Sequence, residues 1–179
     1  MHHRVRHRGN FWHFHAIHHS QRDLNQFTDL RLHFVDLLVA YTVLTIPMFA
    51  LQIAPASILA IGFLMAAYAR FVHSNVRATL GPFGYIFVSP QFHRIHHSIE
   101  ARHQDRNFGN IFSFWDRFFG TLHGATDEYP ETGVAGIDYS TTGLFGGMAR
   151  QLIDPFARLM NGSSASTDRA PREDRLPAD

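Results

Sequence analysis

From Leu37 to Ala69 the chain carries not one charged residue. A run of that length exceeds the roughly 20 apolar residues of a single straight bilayer crossing. Pro47, Gln52 and Pro55 lie near its middle, where turn-forming residues predict a reversal. The pattern predicts two apolar helices, Phe34–Leu51 and Ala56–Val72, each about long enough to cross or deeply enter a membrane. A buried hairpin in a soluble all-α protein would show the same pattern. Charge placement favours the membrane: Arg22 and Arg31 precede the run, Arg70 and Arg77 follow it, and the turn between the helices has no charge. Arginine at both ends puts both on the cytoplasmic side.

The flanking segments read differently. The stretch from Met1 to Ser20 is dense in His and Arg, with no apolar run behind the basic residues, so it is not a secretory signal. Residues 107–122, Asn-Phe-Gly-Asn-Ile-Phe-Ser-Phe-Trp-Asp-Arg-Phe-Phe-Gly-Thr-Leu, predict a helix lying at a membrane interface. An amphipathic core helix fits that pattern equally well. Residues 123–160 read as loop and one short helix, with a kink at Pro155. Residues 161–179, rich in Ser, Pro, Asp and Arg, read as a disordered tail behind a single domain of residues 1–160.

Composition narrows the function. Of 179 residues 45% are hydrophobic and 17% charged, with a net charge of +1, so no basic face for nucleic acid is expected. Cysteine is absent, which excludes disulfides, thiolate nucleophiles and Cys-ligated metals. All basic side chains other than His are arginine, a usage that suggests a G+C-rich bacterial genome and hence a bacterial inner membrane.

Histidine, with 14 copies, is patterned. Residues 14–20 read Phe-His-Ala-Ile-His-His-Ser and residues 92–98 read Phe-His-Arg-Ile-His-His-Ser. On a helix, positions i, i+3 and i+4 share a face. His15, His18 and His19 therefore converge, as do His93, His96 and His97. His3 and His7 form an i, i+4 pair, with His2 a poorer alternative to His3. His73 ends the second apolar helix, and an even number of crossings returns it to the same side as both clusters. Nine imidazoles, His3, His7, His15, His18, His19, His73, His93, His96 and His97, exceed what one ion can use and suit two ions of five or six coordination. Imidazole-only ligation of two redox-capable ions points to iron and O2. Catalytic zinc typically keeps three protein ligands and an open position. His13 is expected to be structural, and His33, His103 and His123 to be surface residues or supports of the ligands.

The order His-x3-His, His-x-x-His-His, His73-Ser74-Asn75, His-x-x-His-His, then Asn-Phe-Gly and Trp-Asp-Arg-Phe-Phe-Gly-Thr resembles the sterol desaturase / fatty acid hydroxylase superfamily over roughly His3 to Leu122. That resemblance implies an all-α integral membrane protein, a helical hairpin with a histidine-rich di-metal domain on its cytoplasmic side. It implies two iron ions, with O2 as co-substrate, held by the nine His residues. It implies hydroxylation or desaturation of a C–H bond in a lipid (sterol, fatty acyl or ether lipid). No flavin or nicotinamide motif is present, so electrons are expected from a partner such as a ferredoxin or a cytochrome b5-type protein. Asn75 is expected beside the ligands. Asp105, Asn107, Trp115 and Asp116 are expected to hold the last helices over the site by hydrogen bonds, with direct orientation of a ligand ring as a second role for Asp116. Relatives carry one or more membrane helices before the first His pair, whereas this chain opens on it. The alternatives are a zinc-dependent membrane hydrolase and a truncated, non-catalytic metal-binding homologue.

Overall fold

The computed structural model describes residues 2–125, 127–139 and 143–162. Among them there are seven α-helices, three isolated β-bridges and no strand. The helices are α1 (His2–Arg6), α2 (Phe11–His19), α3 (Phe34–Ala50), α4 (Pro55–Val72), α5 (Pro90–His96), α6 (Phe114–Phe118) and α7 (Gly143–Met160). Short 3-10 turns lie at Thr28–Leu30, Gly81–Tyr85 and Ala101–His103.

Helices α3 and α4 match the predicted apolar pair to within a residue at each end. Pro47, expected near the reversal, lies inside α3, and the chain turns where Gln52 adopts φ 54°. Pro55 occupies the first turn of α4, where its missing N–H is no loss. Helix α4 is long and apolar enough to cross a membrane, and only 6% of it is buried within the protein, unlike a soluble core helix. Helix α3, at 17 residues, is shorter. Leu38, Phe49, Leu59 and Phe63 on this pair are all well over half exposed.

The buried mass lies at the base of the pair. Every residue of α2 from Trp12 to His19 is buried. Trp12, Ala16 and Ile17 meet Val134, Ile137 and Tyr139 in the main apolar cluster. The face of α2 bearing His15, His18 and His19 looks elsewhere, towards α1 and α5. Helix α5 starts cleanly because Ser89 accepts a hydrogen bond from the Phe92 N–H and Pro90 stands at the next position.

Two expectations about the C-terminal half need correction. Residues 107–122 form no continuous helix. Only Phe114–Phe118 is helical, because Asn107 takes the left-handed conformation (φ 56°) and Asp116 ties up the backbone on both sides. Conversely, the short helix expected within 123–160 is the 18-residue α7, which continues through Pro155. Nearly all of the expected tail, residues 163–179, lies outside the described residues.

Candidate metal centre

All nine nominated histidines are buried, and their rings fall into two adjoining groups. His3, His7, His15, His19 and His96 form one; His18, His73, His93 and His97 form the other. Ligand atoms within each group lie within 4.8 Å of one another. The His19 and His97 rings stack with centroids 4.2 Å apart, so the two groups share a wall. Each His-x-x-His-His motif is therefore split between the groups instead of serving one of them.

The outer nitrogen of five rings is pinned by an oxygen that can only accept. His3 Nδ1 donates to Phe108 O (3.0 Å), His18 Nδ1 to Thr28 O (3.1 Å), His73 Nδ1 to Ala69 O (2.7 Å) and His96 Nδ1 to Arg106 O (2.8 Å). His15 Nδ1 donates to Asp36 Oδ2 at 2.9 Å, and Arg6 Nη1 reaches the other oxygen at 3.1 Å. These bonds fix the tautomer. With the proton on Nδ1, each neutral ring turns an Nε2 lone pair inward.

Those lone pairs face one another. His3 Nε2 lies 3.1 Å from His15 Nε2 and 3.2 Å from His96 Nε2, while His18 Nε2 lies 3.1 Å from His73 Nε2. Two acceptors at that distance make no hydrogen bond and repel unless a cation lies between them. Protonation is disfavoured: burial first, then neighbouring rings, pushes His3 and His18 well below the ordinary imidazole range. Burial takes His73 down to about 4 and His96 to about 3. His19, His93 and His97 are likewise lowered, chiefly by burial. The donor set therefore fits metal ions. Imidazole nitrogens at about 2.1 Å from a metal and at right angles lie ~3.0 Å apart, whereas tetrahedral ligands lie ~3.4 Å apart. The contacts of 2.9–3.2 Å lie in the range taken by imidazoles that share one ion.

Sequence reasoning missed Asp36. It is 3% exposed at the start of an apolar helix, and an isolated carboxylate there was the available signal. The segment after the second cluster acts differently from expectation. Asp116 touches no ring. Its carboxylate accepts from the Phe108 and Gly109 N–H groups (both 2.7 Å) and from Thr121 Oγ1 (2.6 Å). That fixes the loop whose carbonyls, Arg106 O and Phe108 O, hold His96 and His3. Asn107 is fully buried; its amide bonds Phe92 O and both backbone groups of His123. Asparagine suits this left-handed position because its side chain supplies both a donor and an acceptor. Gly109 is required for closeness: a Cβ there would stand 2.7 Å from Phe112 O and 2.9 Å from Asp116 Oδ2.

Other expectations are corrected here. Asn75 is exposed and accepts from Arg94 Nη1 and Tyr129 OH, so it ties the chain after α4 to α5 without touching a ring. Trp115 is 48% exposed and stacks on Phe119. His33 is buried: it caps α3 by accepting from the Val35 N–H and donates to Leu152 O. His103 is buried as well, and with His123 it meets Glu128 at 2.8 and 3.0 Å. Arg102 Nη2 also reaches that carboxylate, at 2.7 Å, so the cluster is neutralised without a metal. His13 is buried in α2 and belongs to none of these groups.

A cavity of about 190 Å³ reaches His3 from the side of α4. Met65, Phe108, Ile111, Phe112 and Phe119 line it, so it is largely apolar. A larger cavity, about 550 Å³, lies under α7 and touches no ring of either group.

A profile of the family described as fatty acid hydroxylase matches residues 1–121. The chain is 34% identical over 159 residues to the ornithine lipid hydroxylase OlsE of Rhizobium tropici, covering 88% of this chain and 46% of that protein. It is 31% identical over 124 residues to the alkylglycerol monooxygenase of Caenorhabditis elegans (68% of this chain, 24% of that protein). The human alkylglycerol monooxygenase is 31% identical over 128 residues, 70% of this chain and 28% of that one. The chain thus spans about half or less of the length of these relatives. No solved structure matches it. From its first His pair to the segment after the last, the chain belongs to the fatty acid hydroxylase family.

Proposed function

We propose that this protein is an O2-dependent, di-iron lipid hydroxylase or desaturase fed by external electrons. The observation that carries the reading is the set of buried Nε2 lone pairs that face one another at 3.1–3.2 Å. Five rings would hold one ion and four the other. Bound iron would supply reductive activation of O2 and removal of hydrogen from an unactivated C–H bond. Hydroxylation balances as RH + O2 + 2e⁻ + 2H⁺ giving ROH + H2O. Desaturation consumes the same O2, electrons and protons, removes two hydrogens and releases two waters.

The chain's own residues orient the rings and shape the approach to them. Asp36, Phe108 O, Arg106 O, Thr28 O and Ala69 O keep the lone pairs inward. The cavity bounded by Met65, Phe112 and Phe119 would admit an apolar chain towards His3. Relatives named for ornithine lipid and alkylglycerol favour an acyl or alkyl chain of a polar membrane lipid as substrate. The apolar pair α3 and α4 embeds in the membrane, and the centre lies where α3 begins and α4 ends, on the cytoplasmic side of a bacterial inner membrane. A ferredoxin or cytochrome b5-type protein delivers electrons there. A zinc hydrolase is less well supported, because groups of five and four rings exceed the three protein ligands such sites use.

The test is metal analysis on detergent-purified protein from iron-supplemented cells, with His96→Ala as control, followed by lipid analysis under ¹⁸O2. About two irons per chain, fewer in the variant, and ¹⁸O in the product alcohol (or an O2-dependent alkene) are expected. Turnover without O2, or a folded protein that takes up no metal, would overturn the reading.

A further inference from the structure

Helix α7 is amphipathic in the wrong sense for a helix that packs on water-soluble protein. Phe145, Leu152, Ile153 and Met160 are 84%, 53%, 63% and 87% exposed. At 100° per residue they fall within one half of the helix circumference. The opposite side is turned inward and carries Gly147, Gln151, Asp154 and Arg158, all buried or half-buried; Pro155, between the two sides, is buried and Leu159 half-buried. Arg150 and Asp154 pair along that side, and the Arg150 guanidinium lies over the Tyr139 ring. A helix that faces its polar residues inward and its large apolar residues outward is matched to an apolar exterior.

The apolar face is continuous with that of α3. Phe156 packs against Phe14, His33 and Phe34, where α3 begins, and His33 Nε2 donates to Leu152 O. The exposed face of α7 therefore runs on from the foot of the helix pair assigned to the membrane. Two arginines against one aspartate complete the signature of a helix lying in the interface plane.

We infer that α7 is an in-plane membrane helix, its Phe145–Leu152–Met160 face seated in the same bilayer that α3 and α4 enter. This rests on the membrane reading above. It anchors the domain by a second contact and holds the metal centre at a fixed height over the lipid. Seated this way, α7 also roofs the His33 end of α3 without blocking the cavity beside Met65, which opens by α4 and α6.

Because the chain has no cysteine, single-cysteine spin labels can be placed without background. The variants are Phe145→Cys, Leu152→Cys and Met160→Cys on the apolar face, Ala157→Cys towards the polar flank, and Leu59→Cys on exposed α4. Each is reconstituted in phosphatidylethanolamine/phosphatidylglycerol vesicles, with metal content and helicity checked against the parent. Accessibility is measured to lipid-dissolved O2 and to an aqueous nickel chelate. The expected result is O2-favoured accessibility at 145, 152 and 160, all at one shallow depth of roughly 5–10 Å. Nickel-favoured accessibility is expected at 157 and deep burial in lipid at 59. Nickel-favoured signals at 145, 152 and 160 with 59 in lipid would overturn the inference and leave the membrane reading standing. Labels at 145, 152 and 160 shielded from both agents would overturn it in favour of a protein partner. Depth rising steadily from 145 to 160 would overturn it in favour of a crossing helix. Nickel-favoured signals at 59 as well would overturn the membrane reading and this inference together.

Discussion

Replacing Asp36 with asparagine separates a carboxylate that orients a ligand from one that merely fills space. The Asp36 carboxylate accepts His15 Nδ1–H at 2.9 Å and Arg6 Nη1 at 3.1 Å, and its side chain is 2% exposed. Asparagine keeps the volume and one oxygen but presents an amide N–H₂ where the second oxygen stood. One of the two donors, His15 or Arg6, then faces another donor. If His15 loses its acceptor, its proton is free to move to Nε2, and the inward lone pair is lost. Removal of a group that orients a metal-bound His typically costs about 10–100-fold in metal affinity, or roughly 1.4–2.7 kcal/mol. Asp36→Ala strands both donors in a buried site, with a stability loss of about 3–5 kcal/mol, so asparagine is the cleaner probe. His15 belongs to the five-ring group only, so the loss should fall mainly on that ion. The assay is iron stoichiometry and the rate of iron loss to a chelator, read beside the thermal midpoint. The expected outcome is a folded protein whose iron falls from about two towards one, with one fast-released population. Two tightly held irons in folded Asp36→Asn protein would refute the claim that this carboxylate fixes the His15 tautomer.

Asp116→Ala removes three accepted hydrogen bonds and frees the loop that holds His3 and His96. A stability loss of at least about 3 kcal/mol is expected in urea unfolding, with lowered iron content, and Asp116→Asn should recover part of both. Gly109→Ala should cost about 1–3 kcal/mol by overpacking against Phe112 O and Asp116; an unchanged unfolding midpoint would refute the close approach. Met65→Phe narrows the cavity that leads to His3 and should raise KM for long-chain lipids more than it changes iron content. For pH, the folded pKa values of about 4 for His73 and about 3 for His96 lie below the unfolded imidazole value. Below about pH 6.5 the unfolded chain binds more protons, so stability is fully present above that pH and is lost as pH falls towards those folded values. Each ring contributes up to about 1.4 kcal/mol per pH unit, and a flat unfolding midpoint between pH 7.5 and 5.5 would contradict it.

How much of this was legible in the sequence follows from what each pattern encodes. The uncharged run encodes two helices because periodicity and turn residues are local, and α3 and α4 appear as expected. The His spacings encode which rings share a helix face, but not which ring of a face joins which partner. His15 and His19 join His3, whereas His18, on the same face, joins His73; only the approach of α1, α4 and α5 to α2 decides that. Asp36 was hidden because its meaning depends on a ring 21 residues earlier in the chain. The Asn-Phe-Gly and Trp-Asp segments were expected to brace helices. They act instead through two backbone carbonyls, and backbone acceptors carry no residue identity that a motif could reveal. Helix α7 was expected to be short, with a kink at Pro155, yet it runs for 18 residues through that proline, which forfeits only one backbone bond.

The same geometry couples the metal to the fold. The main apolar cluster under α2 holds only Trp12, Ala16, Ile17, Val134, Ile137 and Tyr139. Across the other face of α2, the interior consists of imidazoles whose lone pairs oppose one another at 3.1–3.2 Å. Without a cation the opposed pairs His3–His15, His3–His96 and His18–His73 are repulsive, and these five rings cannot relieve it by bonding to one another while their Nδ1 protons stay on Phe108 O, Asp36, Arg106 O, Thr28 O and Ala69 O. Ions that bind the folded arrangement and not the unfolded chain stabilise it by RT ln(1 + [L]/Kd), about 4 kcal/mol for each site at a thousandfold excess over Kd. Stripping the protein anaerobically with a chelator should therefore lower its thermal midpoint steeply. Helicity should be lost first from α1 and α5, which are short and carry His3, His93 and His96 into the ring cluster. Helix α4, held by its own apolar length, should persist in detergent. Hydrogen exchange resolved by segment reads this directly. Equal protection of α5 before and after chelation would show that packing alone holds the rings in place, and the lone-pair argument for metal would lose its force.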